Sequence, residues 1–354
     1  MSFTVTIAPS GKTVHVDGDT HILEAALQQG VVLPYGCKNG ACGSCKARIL
    51  SGEHIQDAHQ PGALTAEESR LGLALLCCAR AASDLTVEAR VVAAVGEIPV
   101  RRMPCRVSSI DKPVPDVAVI RLQLPASERL QYLAGQYVDL ILRDGTRRSY
   151  SMAAAPGSSD SLELHVRHTP GGRFTDSLFG MIKPELKVRD ILRIEGPLGT
   201  FFLREEGDRP IVMVASGTGF APIKAMLEQI AVLAKGKGFT RPMTLYWGGR
   251  RPHDLYMNDL CERWTAEIEG FRYVPVVSNA LPEDGWNGRT GFVHHAAMAD
   301  VPDMSGCQVY ACGAPVVVDA CRRDFITACG LQPEEFYADA FITAADVAAT
   351  IEGP

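Results

Sequence analysis

The chain has 354 residues, 46% of them hydrophobic and 21% charged, with a net charge of −6. Against typical domains of roughly 100–200 residues this length implies two or three domains, and the composition excludes wholesale disorder. An acidic balance without clustered Lys and Arg excludes nucleic acid and an anionic membrane surface as partners. The longest uncharged run, Met304 to Val318, is too short to span a bilayer and is broken by Gly306, Gly313 and Pro315. The amino terminus alternates as a strand and lacks the basic and apolar blocks of an export signal, so a cytoplasmic location is expected.

Taken in order, residues 4–7 and 13–16 alternate in strand fashion, and the period changes at Ile22, Ala25, Ala26 and Gln29. That change predicts a helix entered through Asp19 or Thr20 and stopped by Gly30. A loop rich in glycine and cysteine follows, then strands over 46–50 and 85–89, giving a small α+β domain over 1–95. Two prolines and two adjacent arginines in 97–104 read as a linker, placed at 96–103. From 104 to 206, alternations at 105–110, 117–124, 136–142, 147–152 and 162–167 predict an antiparallel barrel. Asp144-Gly145 predicts a type I′ hairpin turn, which needs positive φ at both central residues. From 207 to 354, strands at 211–215, 243–247, 272–277 and 307–311 alternate with helices near 221–234, 254–268 and 314–329. Such alternation predicts a parallel sheet with crossover helices.

Eleven cysteines without an export signal do not suit disulfides, and five of them lie between Cys37 and Cys78, which points to metal. Cys37, Cys42 and Cys45 spell C-x4-C-x2-C, and Cys77 follows 32 residues later, the plant-type spacing for a 2Fe-2S cluster. Four-cysteine zinc would more naturally show two C-x2-C pairs, and a Rieske centre needs two histidines. The adjacent Cys77 and Cys78 compete for the fourth position. The run from Cys77 to Asp84 resembles the fourth-ligand segment of ferredoxin domains in oxygenase reductases, and that resemblance selects Cys77.

In the barrel, strand alternation puts Arg148 and Tyr150 of Arg148-Ser149-Tyr150-Ser151 on one face. The segment resembles the R-x-Y-S motif of the ferredoxin-NADP reductase superfamily. The resemblance implies that Arg148 binds flavin phosphate, Tyr150 lies against the ring system and Ser151 approaches its N5 edge, with Ser149 in the same motif. It implies further that His165-Val166-Arg167 support the flavin through backbone and Arg167, and that Gly171-Gly172-Arg173-Phe174-Thr175 hold its pyrophosphate. Family members with an N-terminal ferredoxin domain carry FAD, so FAD is expected over FMN.

After the strand Ile211 to Ala215, the run Ser216-Gly217-Thr218-Gly219-Phe220-Ala221-Pro222 joins a glycine turn to a helix start, as a dinucleotide pyrophosphate requires. Its G-T-G-x-x-P form is similar to that superfamily's, which assigns Gly217, Thr218, Gly219 and Pro222 to nucleotide binding. Tyr310 to Pro315 resembles the family's C-G motif, with Cys312 and Gly313 beside the nicotinamide. NADPH enzymes of this group carry Ser-Arg after the third strand where this chain has Ser278-Asn279, so NADH is expected. Arg250 and Arg251 could nevertheless approach a phosphate. Phe341 matches the C-terminal aromatic that covers the flavin in relatives.

The resemblance covers essentially the whole chain. Gly135-Gln136-Tyr137, Glu195 to Phe202 and Gly291-Phe292-Val293-His294 look most like CDP-6-deoxy-3,4-glucoseen reductases, and His168 to Phe174 also like reductase components of aromatic-ring oxygenases. It implies an α+β ferredoxin (β-grasp) domain, an antiparallel flavin barrel and an α/β nicotinamide domain. It implies an oxidoreductase in which Tyr150, Ser151, Cys312 and Phe341 surround the hydride step. Electrons then pass from NADH to FAD to 2Fe-2S and singly to a separate protein, an oxygenase component or a pyridoxamine-phosphate-dependent deoxysugar dehydratase. The alternative is a ferredoxin-like carrier or redox sensor without reductase activity.

Overall fold

The computed structural model describes residues 2–341; the end of the last expected domain, 342–354, lies outside them. The chain falls into two compact units, Met1–Pro99 with Gly199–Phe201 and the chain from Ala338, and Val100–Leu198 with Phe202–Tyr337.

The first unit contains β1 (Ser2–Ala8), β2 (Lys12–Asp17), α1 (Ile22–Gln28), β3 (Lys46–Ser51), β4 (His54–Gln56), α2 (Ala66–Arg70), β5 (Leu73–Leu75), β6 (Ala79–Ala81), β7 (Leu85–Glu88) and α3 (Ala93–Gly96). Its main sheet runs β2-β1-β7-β3-β5, with β4 and β6 forming a separate pair. The period-2 pattern buries Val5, Ile7, Val14 and Val16 completely, against the face of α1 that carries Ile22, Leu23, Ala25 and Ala26. The helix starts later than Asp19 or Thr20, with His21 as N-cap and no side-chain cap. A tertiary partner does that work, since Leu23 N donates to Leu76 O at 2.9 Å. The helix α2 was not expected, although Thr65 and Glu68 close a capping box at its start.

The second unit opens with a six-stranded antiparallel sheet: β8 (Arg101–Val114), β9 (Val117–Gln123), β10 (Tyr137–Ile141), β11 (Arg147–Ser151), β12 (Ser161–Arg167) and, after α4 (Arg173–Leu178), β13 (Ile191–Leu198). Their order is β11-β10-β13-β8-β9-β12. Arg101–Pro104, expected as irregular linker, pair with β13 from Arg101↔Gly196 to Pro104↔Arg193. The strand forms there because Met103, Cys105 and Val107 point into the core while Arg102 reaches Glu195 at 2.7 Å. The hairpin at Asp144-Gly145 is not type I′: Gly145 has φ +83°, but Asp144 is not among the residues with positive φ. A three-residue loop closes instead, with Gly145 N donating to Leu142 O at 2.9 Å and Leu142 N to Thr146 O at 2.8 Å. Asp144 Oδ1 accepts from Thr146 N at 3.0 Å, which favours this longer loop.

The parallel sheet uses β14 (Ile211–Ser216), α5 (Phe220–Lys237), β15 (Met243–Gly249), α6 (Asn258–Glu267), β16 (Phe271–Val277), β17 (Arg289–Thr290), α7 (Val293–Asp300), β18 (Gln308–Gly313), α8 (Pro315–Cys329) and β19 (Phe336–Ala340). Strand order is β17-β16-β15-β14-β18-β19. The chain reverses direction across the sheet between β14 and β18, so the carboxyl ends of these two strands form the crevice where ligands bind in open α/β sheets. All three expected architectures are thus present. Among the described residues no helix is long and apolar enough to cross a membrane.

Candidate functional site

Between α1 and β3 the chain makes a loop in which Lys38, Gly40 and Gly43 all take positive φ. That backbone turns its N–H groups toward sulfur. Ala41 N and Cys42 N each donate to Cys37 Sγ at 3.3 Å, Cys37 N and Ser44 N to Cys42 Sγ at 3.4 and 3.5 Å, and Gly40 N to Cys77 Sγ at 3.2 Å. Glycine is required at position 40, because a Cβ there would lie 2.8 Å from Cys78 Sγ and 2.9 Å from His59 Cβ. The four sulfurs form two pairs: Cys45 and Cys77 Sγ are 3.2 Å apart, and the Cys37 and Cys42 thiols are hydrogen-bonded to each other. The bond from Cys37, reinforced by backbone N–H groups, holds Cys42 down to about 5, whereas the same contact pushes Cys37 up. Two pairs of soft donors under five N–H groups fit a 2Fe-2S cluster, each pair matching one iron. Cys78, buried and 3.6 Å from Cys77, has none of these backbone donors.

Within the same unit the residue two before Cys37 is held at both ends. Thr200 N and Oγ1 donate to Tyr35 O at 3.0 and 2.8 Å, Tyr35 N donates to Thr200 Oγ1 at 2.8 Å, and Gly199 N donates to the Tyr35 hydroxyl at 2.9 Å. Ser44 Oγ donates to Ala338 O at 2.8 Å. Phe341 belongs to this unit and is half-buried.

In the barrel, Arg148 and Tyr150 are half-buried on one face of β11, while Ser149 turns away and donates to Asp139 Oδ1 at 2.7 Å. The Tyr150 ring lies 5.6 Å from that of Phe174, and burial pushes its hydroxyl up. Ser151 is buried opposite Tyr137. The strand β12 is the sheet edge, joined toward β11 through the Met152↔Leu164 bridge and the bond from Ala153 N to Glu163 O at 2.8 Å. The antiparallel sense of the Met152↔Leu164 bridge puts 165–167 on the side of β11 that carries Tyr150 and Arg148. A seam with an aromatic wall and a guanidinium fits a flat ring carrying phosphate. The side chains of other residues expected at the flavin have partners within the protein, which bears on their side chains and not on their backbone. Thr175 Oγ1 donates to Thr169 O at 2.8 Å, Arg173 pairs with Asp144, and the Val166 side chain is in the core. Gly171 takes positive φ, and Gly172 is the N-cap of α4.

Gly217–Gly219 form a 3-10 turn between β14 and α5, with Thr218 and Pro222 buried. The turn packs backbone against backbone on the end of β18. A Cβ on Gly219 would collide with the Cys312 carbonyl and come 2.7 Å from Gly313 Cα, and one on Gly313 would come 2.6 Å from Ser216 O. Ala314 N donates to Ser216 Oγ at 2.9 Å, and Cys312 is buried between these turns. Trp247 Nε1 donates to Gly217 O at 3.0 Å. Arg250 is exposed, its N–H donating to Asp254 Oδ2 at 2.8 Å.

A buried ionic network, not read from the sequence, joins β12 to this half. Glu163 Oε1 lies 3.0 Å from both His165 Nε2 and Lys224 Nζ; Lys224 Nζ also meets Glu228 Oε1 at 2.6 Å, and His165 Nδ1 lies 2.7 Å from the Tyr256 hydroxyl. Burial would raise Glu163, but the hydrogen bond to His165 and the charge of Lys224 outweigh it and hold the carboxyl down to about 2. Burial lowers His165, favouring the neutral ring. Arg167 reaches Asp254 Oδ1 at 3.0 Å, and its guanidinium lies 3.5 Å from where a Cβ on Gly217 would be. The barrel strand is thereby keyed to the glycine turn. The available signal was a Glu and a His two apart in an apolar strand, and a Lys four before a Glu in an apolar helix.

Three family models match the chain: a 2Fe-2S iron-sulfur cluster binding domain over 5–82, an oxidoreductase FAD-binding domain over 104–203 and an oxidoreductase NAD-binding domain over 213–323. The chain is 43% identical over 342 residues to the CDP-6-deoxy-L-threo-D-glycero-4-hexulose-3-dehydrase reductase of Yersinia pseudotuberculosis serotype I (strain IP32953), covering 97% of this chain and 99% of that protein. It is 37% identical to reductase component 1 of terephthalate 1,2-dioxygenase from Comamonas sp, covering 91% of this chain and 92% of the other. The crystal structure of an Amycolatopsis cytochrome P450 reductase is similar with a TM-score of 0.72 at 34% identity, covering 97% of this chain and 99% of that one.

Proposed function

This chain belongs to the family of iron-sulfur flavoprotein reductases that joins a 2Fe-2S domain to FAD- and NAD-binding domains, and on that premise we propose how its residues divide the work. When bound, FAD would supply hydride acceptance from NADH with release of single electrons, and a 2Fe-2S cluster held by the four cysteines would supply one-electron transfer. The glycine turn at 217–219 and the turn at Cys312-Gly313 hold the nucleotide. Arg148 neutralises flavin phosphate and Tyr150 supports one ring face. Cys37, Cys42, Cys45 and Cys77 hold the cluster, whose backbone donors stabilise negative charge on sulfur. The acceptor is a separate protein, an oxygenase component or a dehydrase acting on a CDP-hexulose, as the names of the relatives suggest. The work is done in the cytoplasm, where NADH is at hand and thiols stay reduced.

The observation that carries this reading is the two-pair set of four sulfurs in a chain that also bears a strand-to-helix turn whose Gly219 leaves no room for a Cβ. Anaerobic titration of the loaded protein with NADH tests it: flavin and iron-sulfur absorbance are expected to bleach together. Absorbance untouched by NADH would leave only the carrier reading. Tyr150→Ala is expected to weaken flavin retention by roughly tenfold, because an aromatic wall is worth about 0.5–1.5 kcal/mol beyond its area. Flavin content unchanged after dialysis would refute that role.

A further inference from the structure

At the carboxyl ends of its parallel strands the chain presents an arginine near the nucleotide and then ties it up. The strand β15 ends at Gly249 and runs into Arg250-Arg251. The neighbouring β16 ends at Val277, and Ser278 N and Asn279 N donate to Gly249 O and Arg250 O, both at 2.9 Å. The two strand ends therefore form one ledge. With a pyrophosphate at the first glycine turn, the adenosine ribose of a dinucleotide reaches the end of the next strand, where an arginine accommodates the 2′-phosphate of NADPH.

Arg251 is held away from that task. Its Nε and Nη2 fork onto Asp284 Oδ2 and Oδ1 at 2.9 and 2.6 Å, and Glu283 Oε1 stands 4.0 Å from Nη2. Asp284 cannot swing aside freely, because Oδ2 also accepts from Leu281 N at 2.8 Å and so closes the turn Pro282–Asp284. Its side chain is only 13% exposed. The fork lowers the Asp284 carboxyl from its ordinary value, so it is charged wherever the protein works. A 2′-phosphate would have to displace a carboxylate that already satisfies the guanidinium bidentately, and would meet two negative charges while doing so.

We propose that Asp284, with Glu283, is the cosubstrate filter of this reductase: it pins Arg251 and sets negative charge beside the ribose 2′ position, excluding NADPH. The proposal rests on the reading of the 217–219 turn as the dinucleotide site. Asp284 acts through Arg251 and is a positioning residue.

The test uses protein loaded with flavin and cluster, with initial rates of ferricyanide reduction from NADH and from NADPH. Asp284→Asn keeps an acceptor for Leu281 N–H but releases the guanidinium, and is expected to raise kcat/KM for NADPH roughly tenfold through KM, with kcat steady. NADH rates are expected to stay within about twofold. Adding Arg251→Gln to Asp284→Asn should remove the gain. An unchanged KM for NADPH in Asp284→Asn, or a gain that survives Arg251→Gln, overturns the proposal. Should Asp284→Asn fail to hold flavin, Asp284→Ser, whose hydroxyl still accepts from Leu281 N–H, carries the same comparison. Wild-type protein that oxidises neither nucleotide would overturn the dinucleotide-site reading itself.

Discussion

Cytochrome c reduction by the Cys42→Ser protein is expected to fall to background, while electron flow from NADH to ferricyanide persists. Cys42 Sγ accepts from two backbone N–H groups and pairs with Cys37, so its loss removes half of one iron's sulfur set and leaves those donors facing a shorter, harder oxygen. Ferricyanide can take electrons at the flavin, and cytochrome c reports the cluster. The adjacent cysteines sharpen the test. Cys77→Ser is expected to behave like Cys42→Ser, because Gly40 N and Cys45 Sγ both converge on Cys77 at 3.2 Å. Cys78→Ala should keep the iron and the cytochrome c activity, since Cys78 Sγ serves as packing under Gly40. Equal loss of both activities in Cys42→Ser would mean that the loop is only structural, and iron lost from Cys78→Ala but retained in Cys77→Ser would exchange their roles.

Gly219→Ala is expected to cut kcat/KM for NADH by roughly a hundredfold, the cost of misplacing reacting groups by about an ångström. The added methyl would run into the Cys312 carbonyl and the Gly313 Cα, which are backbone atoms of a buried strand end and cannot rotate away. Either the turn or the C-G segment must shift, and both are the segments proposed to hold the nucleotide. Flavin content and reduction of the cluster by dithionite should be unaffected, because neither depends on this contact. Gly217→Ala provides the comparison. There the nearest atoms belong to the Arg167 guanidinium at 3.5–3.8 Å, an ordinary contact, and the cost is the positive φ of +52°, about 1–2 kcal/mol. Gly219→Ala protein with normal NADH kinetics would remove this turn from the nucleotide site.

Several features are legible in the amino-acid order because each is a local pattern with a local physical cause. The spacing of Cys37, Cys42 and Cys45 is one, since a single short loop must bring its thiolates together. The glycine turn after Ile211–Ala215 is another, because a strand, a tight turn and a helix start are adjacent in the chain. The change of period at Ile22 and the alternation of strands and helices after Pro210 follow from side-chain direction alone. The fold class and the iron-sulfur cluster were within reach on these grounds, while the family and FAD followed from the resemblance of motifs such as Arg148-Ser149-Tyr150-Ser151.

Other features depend on partners far apart in sequence. Residues 97–104 read as linker because two arginines and two prolines dominate the segment, yet Glu195, more than ninety residues on, draws Arg102 into β8. Asp144-Gly145 suggested a two-residue turn, but the hydrogen bonds of Asp144 with Thr146 select a longer loop. Glu163, His165 and Lys224 became one buried network only when β12 packed against α5, where low dielectric makes their pairing strong and their separation costly. The same holds for Arg251, whose sequence offers a phosphate ligand and whose fold supplies Asp284, thirty-three residues later, to occupy it. The sequence alone determined the C-x4-C-x2-C spacing, the glycine turn and the order of the folded parts, because short-range sterics and covalent spacing decide them. Which charges are paired, buried or left for a ligand was decided by the tertiary structure, because those outcomes depend on which distant groups the packing brings within hydrogen-bond reach.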